Sequence, residues 1–139
     1  MRVTLGAFGI IVIVVMAFFT DAQAAPCFTN TLGGTYVYTI AGVGPDGYPR
    51  SELGVVNVSP ANINGMGTYS GTGFLSLRGF EPESGPTSGT YQIFSNCFNN
   101  FAAPAGRFLG YASDGGAFIQ FASPFDTGTQ LTGVARRVQ

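Results

Sequence analysis

Short stretches of alternating or β-branched residues recur from Thr31 to the end of the chain, and clusters of Gly, Pro, Asn and Asp separate them. Apolar residues nowhere follow the spacing of a helix over three turns, whereas the alternation has the period of two that strands show. This pattern predicts an all-β domain. The predicted strands, seven or eight in number, cover residues 34–41, 52–59, 67–70, 73–78, 87–94, 106–112, 117–122 and 130–137.

The connections between these strands predict how the sheet is arranged. Segments such as 44–47 and 114–116 consist of Gly, Pro and Asp, which reverse the chain in tight turns. Connections this short join antiparallel neighbours. Only 9% of the residues are charged and able to protect free strand edges. We therefore predict an antiparallel up-and-down β-barrel, which has no free edges, with a two-sheet β-sandwich as the alternative. Residues 80–88 and 96–104 are predicted loops.

The beginning of the chain has the pattern of a signal peptide. One arginine precedes an apolar run over 5–19, and Ala22 and Ala24 fit a small-x-small cleavage site. The run is short for a membrane-spanning helix, which needs about twenty residues. We predict a signal peptide helix over 1–24 and a single domain over 25–139. The domain is then exported to the periplasm or the medium and leaves the membrane after cleavage; an uncleaved membrane anchor is the alternative.

Both cysteines, Cys27 and Cys97, follow the predicted cleavage site. An even number of cysteines in an exported chain favours a disulfide between them. Redox-active thiols usually occur as Cys-x-x-Cys or beside a basic residue, and neither arrangement is present. We predict a structural disulfide that holds the segment 96–104 against the N-terminal extension.

The ionisable residues restrict the chemistry that the chain can perform. Six arginines, no lysine and seven acidic residues provide no basic stripe for phosphates, so nucleic-acid binding is not expected. The absence of histidine removes the commonest general base, and two cysteines are too few for the usual zinc sites. Most of the acidic residues stand in predicted turns or loops. We predict no enzymatic activity, no metal site and no cofactor.

Glu52 differs from the other acidic residues because it stands at the start of an apolar strand. It could point into a barrel toward Arg78 or Arg107, and such an internal ion pair would orient a ligand. This position suggests one further hypothesis, an isomerase or cyclase in which Glu52 assists a reaction of a confined apolar substrate.

The triplet Gly-Thr-Tyr occurs at 34–36, 67–69 and 89–91, and each copy is predicted to open a strand. These triplets, followed by the segments 115–121 and 131–137, resemble a family of small exported bacterial β-proteins without assigned function. The resemblance spans nearly the whole mature chain. More distantly, the layout is similar to lipocalin and calycin barrels, which have Gly-x-Trp on the first strand and a basic residue on the last strand that lies across the tryptophan ring.

The similarity to lipocalins implies how one end of the barrel is closed. Gly34 and Tyr36 correspond to the first motif, with tyrosine in place of tryptophan. Arg136 or Arg137 corresponds to the basic residue, and we assign Arg136. A cation over an aromatic face contributes about 0.5–2 kcal/mol, depending on burial. The alternative is that both arginines are solvated.

Aromatic residues make up 14% of the chain. Most of them belong in a core, but aromatic side chains at the mouth of a barrel are suited to an apolar ligand. The leading hypothesis is an exported, non-enzymatic barrel that binds a small apolar or amphipathic molecule. The alternative is a self-associating structural or interaction module of the cell surface or extracellular matrix. The predicted ligand-binding residues are Tyr36, Tyr38, Phe98, Phe101, Phe118 and Phe125.

Overall fold

The computed structural model describes Cys27 and residues 31–103, 106–124 and 128–139. The expectations for the signal peptide, its cleavage site and Phe125 lie outside the described residues. In the part of the chain that is described, no helix is long and apolar enough to cross a membrane.

The described residues form a closed barrel of eight antiparallel strands, in which each strand pairs with the next along the chain and the last pairs with the first. This confirms the predicted up-and-down barrel and excludes the two-sheet sandwich. The strands are β1 (Gly34–Val43), β2 (Pro49–Val58), β3 (Met66–Leu77), β4 (Glu83–Ile93), β5 (Phe98–Ala103), β6 (Gly106–Ser113), β7 (Phe118–Ala122) and β8 (Gln130–Arg137).

Three predictions about strands and loops are wrong, and the pairing of neighbouring strands explains each of them. The predicted strands 67–70 and 73–78 are one strand, because β3 pairs with β2 without a break through the intervening residues. The predicted loop 96–104 contains β5, whose two asparagines pair with both neighbouring strands. The predicted loop 80–88 is mostly the first half of β4, which pairs with β3. Ladder hydrogen bonds therefore outweigh the low strand propensity of Gly, Asn and Pro at these positions.

Among the described residues, the first half of β4 pairs with a strand on one side only. Its register with β5 covers Thr90–Ile93, so residues 83–89 extend beyond the pairing. Pro86 lies in this half. A proline cannot donate to a ladder and is tolerated where a strand forms an edge. Within the described ranges, the pairing of β4 with β5 therefore stops short of the end at which β4 begins.

The opposite end is covered by the segment that precedes β1. Leu32 is fully buried there. The predicted disulfide is formed between Cys27 and Cys97, which lies in the turn between β4 and β5. The backbone N–H of Cys27 also donates to the carbonyl oxygen of Ser95 at 3.1 Å. We call this end, where β1 begins, the floor, and the end where β1 finishes the mouth.

The Gly-Thr-Tyr triplets meet at the floor. The copies at 34–36 and 67–69 stand at the starts of β1 and β3, as predicted, but the copy at 89–91 stands near the end of β4. Because β4 runs antiparallel to β3, its end lies at the same side of the barrel as the start of β3. The tyrosine of each triplet occupies an inward-facing position of its strand and is partly or fully buried.

Candidate functional site

A cavity of about 340 Å³ occupies the barrel interior and reaches exposed residues of β4 at the mouth. Eight strands enclose a space just wide enough for side chains or for one small ligand. The volume lies at the lower end of the range of about 300–1,000 Å³ that is typical of small-molecule sites. Its apolar wall includes Val56, Val58, Phe101, Phe108, Ile119, Phe121, Leu131 and Ala135.

Tyr36 and Arg137 close the floor. The Tyr36 hydroxyl donates to the carbonyl oxygen of Gly116 at 2.6 Å and accepts from Nη2 of Arg137 at 2.9 Å. The guanidinium lies 5.5 Å from the centre of the Tyr36 ring, and Nη2 also donates to the carbonyl oxygen of Thr31. Burial raises the pKa of the Tyr36 hydroxyl, and the neighbouring cation opposes this shift.

The assignment of Arg136 to this closure is wrong. Arg137 stands directly opposite Tyr36 in the register between β1 and β8, whereas Arg136 stands opposite Val37. Since directly opposite residues share a face of the sheet, Arg137 points to the same side as the buried Tyr36. Arg136 points outward and is exposed. An arginine of the last strand therefore contacts Tyr36 of the first strand, and the strand register selects which arginine it is.

An aromatic cluster forms one wall, with Phe101 at its centre. Its ring centre lies 6.1 Å from that of Tyr69, 6.0 Å from Tyr91 and 6.2 Å from Phe121. These separations are typical of favourable aromatic pairs. Burial raises the pKa of Tyr91 to about 12, and burial together with the Glu52 carboxylate does the same for Tyr69. Both phenols therefore stay protonated to a higher pH than a tyrosine in water.

Inward-facing glycines keep the interior hollow although it contains many rings. The Tyr38 ring lies where a side chain on Gly54 would be, 2.6 Å from the ideal Cβ position, and its hydroxyl lies 2.6 Å from that of Gly73. The side chain of Tyr38 therefore packs closely against the backbone of β2 and β3. Because it lines the wall without crossing the centre, space for a ligand remains.

Tyr38 and Glu52 form a polar pair within this apolar wall. The Tyr38 hydroxyl donates to Oε1 of Glu52, and the two residues line the cavity together. Burial, reinforced by this hydrogen bond, strongly raises the pKa of Tyr38. The expected direction of Glu52 is right, because it faces inward. The expected partners are wrong: Arg78 pairs with Asp46 at 3.6 Å and Arg107 donates to Asn100 at 2.9 Å.

Arg50 lies two residues before Glu52 on β2 and lines the same cavity. Its Nε is buried and has no hydrogen-bond partner among the described residues. The cavity surface near the mouth also includes Leu75 of β3 and the exposed Glu83 of β4. The mouth therefore combines one cation with two carboxylates, while the lower wall is apolar.

Three of the six predicted ligand-binding residues meet in the cavity: Tyr36, Tyr38 and Phe101. Phe98 does not line the cavity and is 37% exposed. Phe118 is half-buried and also lies away from the cavity, because its neighbour Ile119 takes the inward position.

Sequence reasoning missed Arg50, Tyr69, Phe108 and Phe121 as cavity residues. The signal that could have found Arg50 is the alternation along β2, where Glu52, Val56 and Val58 share its face. In contrast, Phe101 was predicted as a ligand-binding residue of a loop, because the asparagines before it are atypical of the strand β5 to which it belongs. Among the described residues, no group of three or more cysteine and acidic side chains is placed to hold a metal ion.

Comparison with known proteins supports the fold. No protein-family model matches the chain, and no curated protein sequence matches it. A solved structure, described as the de novo design of a fluorescence-activating β-barrel, is similar with a TM-score of 0.53. The two sequences are 17% identical, and the match covers 78% of this chain and 95% of the designed barrel. At this identity the similarity shows the barrel fold alone.

Proposed function

We propose that this protein is an exported, non-enzymatic β-barrel that binds a small apolar or amphipathic molecule in its interior. The observation that carries the proposal is the cavity of about 340 Å³, which has an apolar wall and opens at the mouth. Small-molecule sites combine such a wall with a few convergent polar groups. Tyr38, Glu52 and Arg50 supply those groups here.

The construction of the barrel supports a ligand more than a purely structural interior. The Tyr38 ring takes the place of side chains at Gly54 and Gly73, and a cavity of about 340 Å³ remains beside it. The disulfide and the Arg137–Tyr36 contact strengthen the floor, while the mouth has no comparable closure among the described residues. A ligand would therefore enter and leave at the mouth.

Export is part of the proposal. The disulfide is consistent with an oxidising compartment such as the periplasm or the extracellular medium. The apolar N-terminal sequence provides the route.

Titration of delipidated protein with the neutral fluorescent probe N-phenyl-1-naphthylamine tests the proposal. We expect saturable binding to the wild type and a large loss in Leu75→Trp, which places an indole in the mouth. Leu53→Trp is the matched control, because Leu53 faces outward and is 53% exposed. Equal binding by both variants, or no saturable uptake by the wild type, would overturn the proposal.

Self-association is the second candidate function, and the outer face of the barrel favours it. Leu53 and Phe74 stand opposite each other on β2 and β3 and are 53% and 52% exposed. Val55 and Val37, also paired and exposed, extend this surface onto β1. Sedimentation at high concentration tests this candidate. A monomer throughout would refute it, whereas oligomers that dissociate in Leu53→Ser would support it.

A further inference from the structure

Arg50 is the cation of the cavity, since the other described arginines do not line it. The described residues include no hydrogen bond or ion pair to its guanidinium, and its Nε is buried. Burying a charged donor without a partner is costly. Because Arg50 lines the cavity, a ligand there can supply the acceptor that the described residues do not.

The acidic residues of the cavity do not neutralise Arg50. Glu52 accepts the hydroxyl of Tyr38, and the ideal side-chain position on Gly73 lies only 2.5 Å from its Oε1, so the pair is held against the β3 wall. Glu83 is exposed at the rim. In the described part of the chain, neither carboxylate forms an ion pair with Arg50. Among the described residues, the side-chain ion pair is formed by Arg78 and Asp46.

We propose that the ligand of this cavity is an amphipathic molecule with an anionic head group, which the Arg50 guanidinium binds at the mouth, and an apolar part that extends toward the floor. This inference rests on the proposed function and specifies its ligand class. Guanidinium binds carboxylate, sulfate and phosphate oxygens through charge-assisted hydrogen bonds. The apolar wall of the cavity, which includes Val56 and Ile119, contacts the apolar part of the ligand.

Calorimetric titration with three probes of the same chain length tests the inference: decanoate, decanol and decyltrimethylammonium, each below its aggregation concentration. We expect decanoate to bind the wild type about tenfold or more tightly than decanol, which corresponds to one hydrogen bond to a charged group. In Arg50→Gln the preference should fall to about twofold or less, while decanol binds as before. Arg50→Lys should retain part of the preference.

Arg107→Gln is the matched control, because Arg107 is exposed on β6 and donates to Asn100 outside the cavity. It should leave the binding of all three probes unchanged. A second measurement needs no variant: added salt should weaken decanoate binding to the wild type and leave decanol binding unaffected.

The outcomes separate the inference from the function on which it depends. If decanol and decanoate bind the wild type equally, the anionic head group is refuted while the apolar cavity stands. Tighter binding of decyltrimethylammonium also refutes it and assigns the head-group site to the carboxylates of Glu52 and Glu83. If none of the probes binds and N-phenyl-1-naphthylamine does not bind either, the proposed function fails and the inference fails with it.

Discussion

Removing the disulfide is the perturbation whose effect can be worked out most directly. Cys27 and Cys97 are 70 residues apart, so their bond closes a loop that includes β1 to β4. In the chain-entropy model, closing a loop of this length stabilises the folded state by about 4 kcal/mol. A domain of this size has a total stability on the order of 5–15 kcal/mol. We therefore expect the Cys27→Ala/Cys97→Ala variant to lose about a quarter or more of its stability.

Urea unfolding, followed by near-UV circular dichroism, measures this loss. The variant should unfold at a lower urea concentration and with a steeper dependence, because its unfolded chain is less restricted and exposes more surface. A reductant should destabilise the wild type by a similar amount and leave the double variant unchanged. A loss below about 1 kcal/mol would refute loop closure as the source of stability. The segment over the floor would then be held by its contacts, such as the burial of Leu32.

Two further predictions concern the floor and the interior tyrosines. Arg137→Met should destabilise the protein by about 2 kcal/mol, because charge-assisted hydrogen bonds to Tyr36 are lost. The control Arg136→Met should change the free energy of unfolding by less than about 0.5 kcal/mol. Equal effects of the two substitutions would contradict the assigned closure. Raising the pH should lower stability above about pH 10, since the unfolded chain releases its phenolic protons near that pH while Tyr69 and Tyr91 have a pKa of about 12 when folded. The contribution of these two tyrosines to the free energy of unfolding is fully present below about pH 10 and is lost as the pH approaches 12. Urea unfolding midpoints at about pH 9 and about pH 11.5 measure this loss, and equal midpoints would refute it.

The class of fold could be predicted from the sequence because its signals are local. Alternation along β1, β2 and β8 and the short turns between strands require only neighbouring residues, and they predict antiparallel strands. The disulfide was also predictable, because two cysteines allow one pairing. In contrast, β5 was missed since its asparagines are stabilised by partners on β4 and β6 that are distant in sequence.

The candidate site shows the same division. The inward direction of Glu52 and Tyr38 follows from alternation, and the sequence alone determined that both belong to strands with an apolar face. Their hydrogen bond depends on the register between β1 and β2 and on the side chain missing from Gly73.

The sequence by itself determined an all-β chain with tight turns, one disulfide and an interior rich in aromatic residues. The tertiary structure decided that Arg137 closes the floor, that Arg50 lines the mouth, and that the interior is hollow. Strand propensity and turn geometry act over a few residues, so they are visible in the chain. Register, closure of β8 onto β1 and the packing of rings over glycines act between residues that meet only when the barrel forms.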